Sequence, residues 1–404
     1  MGREAADRGG VTRREYVKYG GVVAGGGLLA GCTGDDSGKG QSDGSDGSEG
    51  GETYTASMAP VGDVEFTAVP ESVMVYSLLY ADMAVAYGHG ESVNSLGFDA
   101  ETGGNTLDAY YEALDGVAFD REGLAQLNTG SGQLDVGKEL FYELNSDLHL
   151  VDPCLVLSFD GWESADVDEI ERNIGPWFGN TLSRDHAQPP EECREDYEYY
   201  TLWEIAQQVA GVFRTEDRFE ALAAVHSELL ETIESNLPPE EERPTVATVI
   251  FMDGTFYPTR SDTPGFANAH VRPLGAPDAL AGEEITGGTS YGYETMLEFD
   301  PDVLLHEYGI ASYYDVGAIA ETLADHPVGS QLSAVESGRV YPSGDPVQGP
   351  LMNLFQLEMT AKQLYPEVFG EWPEYAAGEP YPEIPAEEQL FDRAEVAEIV
   401  TGEA

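Results

Sequence analysis

The stretch LWEIAQQVAGVFRTEDRFEALAAVHSELLETIESNL, residues 202–237, decides how the rest of this chain is organised. Ile205, Val209, Val212, Phe213, Phe219, Leu222, Val225, Leu229, Leu230 and Ile233 recur at helical spacing, and Pro238-Pro239 ends the pattern. One unbroken helix over 202–237 would be about 50 Å long, too long to sit inside one compact lobe. The spacing predicts a spine joining two lobes, with Gly211 and Glu216-Asp217-Arg218 marking the place where it would divide into two helices.

Strand-like apolar runs flank it on both sides. Val73–Tyr76, Leu148–Val151 and Leu155–Phe159 precede it, and Val246–Met252, Val303–His306 and Val340–Pro342 follow. Their alternation with helical segments predicts an α/β fold with mainly parallel sheets. Each lobe also carries one copy of a weak repeat. Glu139-Leu-Phe-Tyr-Glu-Leu-Asn-Ser-Asp147 leads into Leu148, and Glu294-Thr-Met-Leu-Glu-Phe-Asp-Pro-Asp302 leads into Val303. In both, a glutamate near the positive N-terminal end of a helix is followed by an aspartate and a buried strand. Capping alone accounts for one glutamate; matching positions in both lobes suggest a paired role.

The N-terminal end reads as an address. Arg13-Arg14-Glu15-Tyr16-Val17-Lys18 has the twin-arginine pattern of an export route for folded proteins. The apolar run Val22–Gly31 is too short to span a bilayer, and it ends in Leu29-Ala30-Gly31-Cys32, which looks like a lipobox. Residues 1–31 are thus expected to be a signal, with Cys32 the lipid attachment point. Residues 32–52, rich in Gly, Asp and Ser, are expected to be a solvated tether. Beyond them lie an N-terminal lobe over 53–200, the spine over 201–238, a C-terminal lobe over 239–370 and an acidic, proline-containing segment over 371–404. The expected location is the cell surface, on the outer face of the cytoplasmic membrane.

Charge narrows the setting. The chain has 19 Lys+Arg against 75 Asp+Glu, a formal net charge of -56. Lysine after the leader is confined to Lys39, Lys138 and Lys362. Such a charge destabilises a compact state unless salt screens it, and the composition looks like that of proteins from extreme halophiles. With no basic stripe, nucleic acid is excluded as a partner. Cys154 and Cys193 either pair in an oxidising exterior or lie as separate buried thiols. The seven histidines are scattered, which argues against a receptor for bare metal ions.

Taken in order, these elements resemble the substrate-binding lipoproteins of ABC importers for ferric siderophores, haem and cobalamin, the long-helix class III periplasmic binding proteins, here of haloarchaeal type. Val69-Pro70-Glu-Ser-Val-Met-Val-Tyr76 looks like the family's opening strand, both helix-Asp-strand units look like its glutamate-to-Pro-Asp pattern, and Trp203–Pro244 looks like its spine. Gly338-Arg339-Val340-Tyr341 and Leu364-Tyr365-Pro366-Glu367 look like its C-terminal strand and helix end. The resemblance implies two α/β lobes with a ligand cleft between them, a monomer, no cofactor, and partnership with a permease and its ATPase. It also implies permease docking through Glu139 and Glu294. Ser146 departs from the family's proline, and Ser183–Tyr200 looks like an insertion before the spine.

Ligands of open α/β sheets sit beyond the carboxyl ends of the strands. The cleft candidates are therefore loop residues: Tyr76, Ser77, Gln133, Phe159 and Trp162 from the first lobe, and Phe256, Tyr257, Arg260, His306 and Tyr308 from the second. The aromatics offer stiff contact area for a bulky metal chelate. Arg260 is a scarce cation for an anionic chelate, and His306 is a conceivable axial ligand for haem or cobalamin. An iron(III) siderophore is favoured because no cleft residue demands axial ligation. Gly288-Thr-Ser290-Tyr-Gly292 matches a serine-hydrolase elbow, the one enzyme reading the chain offers. The elbow needs a buried strand just before it, whereas Ala281–Gly287 is polar and loop-like, so no catalytic residue is expected.

Overall fold

An amphipathic hairpin leads into the first sheet. In the computed structural model, which describes residues 53–98, 103, 105–128 and 136–402, β1 (Tyr54–Met58) and β2 (Gly62–Phe66) bury Ala56, Met58, Val64 and Phe66 on one face. The twin arginines, Cys32 and Gln133 lie outside the described residues. β3 (Val73–Val75) is buried along its whole length, as interior parallel strands are, and feeds α1 (Leu78–Ala86). Then come β4 (Ser95–Leu96), α2 (Thr106–Tyr111), β5 (Ala125–Gln126), α3 (Lys138–Leu144) and β6 (Leu148–Leu150). β3 pairs in parallel with β6, and β4 with β5; a bridge from Val73 to Val93 links the pairs.

The apolar run Leu155–Phe159, expected to be a strand, begins instead as a short helix, α4 (Pro153–Val156). Local chemistry explains the difference. Asp152 caps it through the amide of Cys154, and Pro153 takes the first helical position, where its missing N–H costs nothing. α5 (Ser164–Asn173) follows.

The 202–237 stretch is not one helix. α6 (Leu202–Phe213), opened by a Thr201–Glu204 capping box, ends where Arg214 turns left-handed at φ 56, and α7 (Glu216–Asn236) starts afresh with Glu216 and Asp217 in its first turn. Only α7, 21 residues long, carries the chain across to the second sheet. α6 instead packs against β1, with the Tyr54 hydroxyl donating to the Val212 carbonyl at 2.6 Å.

The second sheet has the order β10-β9-β7-β8. β7 (Val246–Met252), β9 (Val303–His306) and β10 (Val340–Pro342) are parallel, while β8 (Thr255–Thr259) returns antiparallel along the outer edge of β7. The turn between β7 and β8 is Asp253-Gly254, with φ of 50 and 76, the backbone that a tight hairpin requires and that Asp-Gly supplies at low cost. Around this sheet lie α8 (Tyr293–Phe299), α9 (Val316–Asp325) and α10 (Ser333–Glu336).

Both repeat units fold alike. α3 ends at left-handed Asn145 and α8 at left-handed Asp300, and each runs into a buried strand. The conserved geometry reaches the aspartates: Asp147 accepts the amides of Glu71 and Ser72 ahead of β3, and Asp302 accepts the amide and hydroxyl of Thr245 ahead of β7. Each aspartate thus sets the register between its own strand and the neighbouring parallel one. Ser146, in place of a proline, accepts a hydrogen bond from Asn94.

Residues 371–402 are part of the core rather than an appended tail. α11 (Pro350–Leu364) is buried on every side, and after α12 (Pro366–Phe369) the chain lays Tyr381, Ile384 and Phe391 against it before α13 (Arg393–Thr401) packs on α7.

Candidate ligand-binding site

A cavity of about 340 Å³ opens at the carboxyl ends of β3, β9 and β10. Tyr76, Ser77, Phe98 and Leu155 line it from the first lobe, and Tyr308, Tyr313, Asp345 and Val347 from the second. A third wall, Thr181, Leu182, Arg184, Asp185 and Ala187, comes from the segment just before the spine. Of the cleft residues expected from sequence, Tyr76, Ser77 and Tyr308 meet here. Tyr76 is braced by Phe98 and Phe159, with ring centroids 5.9 and 6.0 Å away.

The others lie elsewhere. Phe159 and Trp162 are buried behind the cavity, and the Trp162 indole N–H donates to the Val136 carbonyl. Because residues 255–259 form β8 and not a cleft loop, Phe256 is fully buried against Phe251 and Tyr293, and Tyr257 points to solvent. Arg260 is occupied by Asp262 at 2.6 Å and Asp278 at 3.4 Å, and it also donates to the Glu283 carbonyl. His306 is fully buried, with Nδ1 3.0 Å from the Tyr314 hydroxyl, and burial pushes it down to about 3, so it is neutral and does not line the cavity. Among the described residues no cluster of three or more His, Cys, Asp or Glu could hold a metal ion, and no helix is long and apolar enough to cross a membrane. Ser290 sits in an exposed loop with no strand before it, so the hydrolase elbow is not formed.

The third wall is the part that sequence reasoning missed. Cys154 on α4 and Cys193 form a disulfide, one of the two outcomes left open by the cysteine count. Buried Asp152 accepts the Thr181 amide and the Tyr197 hydroxyl, each at 2.7 Å. At the other end, the Arg184 carbonyl accepts the Ala267 amide at 3.0 Å, and Gly265, at φ 105, packs so closely on that carbonyl that a Cβ would collide with it. Residues 181–200 therefore form a strap stitched to both lobes. The signal available in the sequence was Arg184, a cation at the start of an insertion dominated by acidic residues.

Three buried carboxyls are held well above the usual range, and one of them, Asp345, lines the cavity. Burial raises Asp345 to about 6 and Glu307 to about 7, opposed by the Val347 amide and the Thr259 hydroxyl respectively. Burial likewise raises Asp82, which accepts Tyr111 and the first amides of α11, to about 7. A carboxyl raised in the folded state favours folding when protonated, so its contribution is complete below about pH 4 and is lost as pH rises through 6 to 7. Stability in high salt is therefore expected to increase on going from pH 8 to pH 5, and Asp82→Asn should flatten the dependence. Thermal melts at both pH values check this; a melting temperature that falls on acidification contradicts it.

Residues 148–346 match the family model of the periplasmic binding proteins, a family of substrate-binding proteins and not of enzymes. The fold is that of their class III members. It is similar to a periplasmic binding protein from Veillonella parvula (14% identity, 79% of this chain and 92% of that one, TM-score 0.55). It is also similar to the iron uptake ABC transporter substrate-binding protein PiuA from Streptococcus pneumoniae (15%, 76% and 98%, 0.53) and to the petrobactin-binding protein YclQ from Bacillus subtilis (14%, 78% and 99%, 0.53). No curated protein sequence matches the chain.

Proposed function

We propose that this chain is the solute-binding component of an ABC importer, tethered through a lipid on Cys32 to the outer face of the membrane, and that it carries an iron(III) chelate of siderophore type. The observation that carries this reading is the aromatic cavity shared by strand ends of both lobes, with Tyr76, Phe98, Tyr308 and Tyr313 as stiff walls. That one structural relative is an iron uptake substrate-binding protein supports an iron chelate as cargo. Haem and cobalamin are less well served, because buried His306 offers no axial ligand to the cavity.

Glu139 and Glu294 are both exposed on the first turns of α3 and α8, at equivalent places in the repeat. Their equivalence supports a role as paired contacts for cationic groups of a permease. Glu139→Ala combined with Glu294→Ala is expected to cut cellular uptake of a ferric siderophore by about tenfold or more while leaving its binding to the purified protein unchanged. Uptake measured with radioactive iron decides the matter: unaltered uptake in the double variant refutes the docking role, and no saturable binding of any ferric chelate by calorimetry refutes the receptor.

A further inference from the structure

The charges around the cavity are unequal. Among the described lining residues Arg184 is the single cation, and it is already engaged: its guanidinium meets Asp185 Oδ2 through Nε at 2.8 Å and through a terminal nitrogen at 2.7 Å. Asp345 faces it from the other lobe, nearly fully buried. One of its oxygens accepts the Val347 amide at 2.7 Å, and it has no ion-pair partner among the described residues. Glu307, behind Tyr308, adds a second buried carboxyl, held by the Thr259 hydroxyl at 2.7 Å. Three carboxyls thus face one guanidinium. Four aromatic rings complete the walls, and ring faces attract cations.

We propose that the cleft selects its chelate by charge, taking neutral complexes and those bearing a cationic group, rejecting polyanionic ones, with Asp345 as the residue that determines this preference. The inference rests on the reading of the cavity as a chelate site. Bulk salt screens the outer surface of this acidic chain but reaches a buried carboxylate much less, so selection at Asp345 persists in a saline medium. A polyanion entering here would meet like charges in a low-dielectric pocket, whereas an ammonium group would pair with Asp345, the cavity-lining carboxylate without an ion pair among the described residues. Arg184 does not reverse this balance, because freeing it for an anion leaves Asp185 bare.

The test uses the purified chain in high salt and three ferric complexes: a linear trihydroxamate with a terminal ammonium, the same ligand N-acetylated and so neutral, and a trianionic tris-catecholate. Calorimetry should give the ammonium form an affinity about tenfold above the acetylated form, and the trianion one at least about a hundredfold below it. Asp345→Asn keeps the acceptor for the Val347 amide and should bring the ratio of the first two affinities to about one. Arg184→Gln, which leaves Asp185 unpaired, should widen that ratio. The inference is overturned if the trianion binds as well as the neutral complex, or if either variant leaves the ratio where it was. Should none of the three bind, the chelate reading itself falls and this inference with it.

Discussion

Arg393→Ala is expected to destabilise the fold by about 3–5 kcal/mol, the cost of leaving a buried charge without its partner. Glu358 is completely buried in the middle of α11, and its carboxylate accepts from Arg393 at 2.7 Å, from the Leu390 amide at 2.7 Å and from the Tyr381 hydroxyl at 3.2 Å. The guanidinium is in turn enclosed by the rings of Phe355, Tyr381 and Phe391, at 5.3, 5.2 and 5.9 Å. One cation therefore holds both the central helix and the returning C-terminal segment. Denaturant unfolding in high salt measures the effect. Replacing both partners together, Glu358→Leu with Arg393→Met, should cost much less than Arg393→Ala alone, because no charge is then stranded. A loss below about 1 kcal/mol for Arg393→Ala would mean that residues 371–402 are dispensable to the core.

The second large effect belongs to the disulfide. Cys154 and Cys193 are separated by 39 residues, and on the chain-entropy model a loop of that size contributes about 4 kcal/mol. Its removal should also be felt in the cavity, since the bond fixes the strap carrying Thr181, Leu182 and Arg184 to the helix carrying Leu155. Cys154→Ser with Cys193→Ser, or reduction by a dithiol, is expected to lower the melting temperature and to weaken binding of a ferric trihydroxamate by about tenfold. Binding that is undiminished after thiol titration has confirmed reduction would show that the Asp152 contacts hold the wall unaided.

Much of the architecture was legible in the one-dimensional pattern. Continuous apolar runs gave β3, β6, β7, β9 and β10 because parallel interior strands are buried on both faces. The two Glu-to-Asp units predicted the repeat, since capping and register contacts are local enough to leave a fixed spacing. Two local signals were present and were outweighed. Asp253-Gly254 between apolar runs marks a hairpin, and this turn is what carries Phe256 and Tyr257 onto β8 and away from the cleft. Arg214-Thr215 followed by Glu216-Asp217 marks a helix end and a new start, as the break in the spine shows.

By itself the sequence determined the α/β class, five of the buried parallel strands and the matching glutamate positions of the two repeat units. These depend on periodicity, spacing and short motifs, which are properties of neighbours along the chain. Only the tertiary structure decided which cation reaches the cavity, that Arg260 is spent on Asp262 and Asp278, and that His306 is buried with Tyr314. It alone showed that residues 181–200 strap the two lobes and that the C-terminal segment completes the core. Those outcomes turn on contacts between residues far apart in sequence, such as Arg184 with Ala267 and Glu358 with Arg393, whose partners no local pattern specifies.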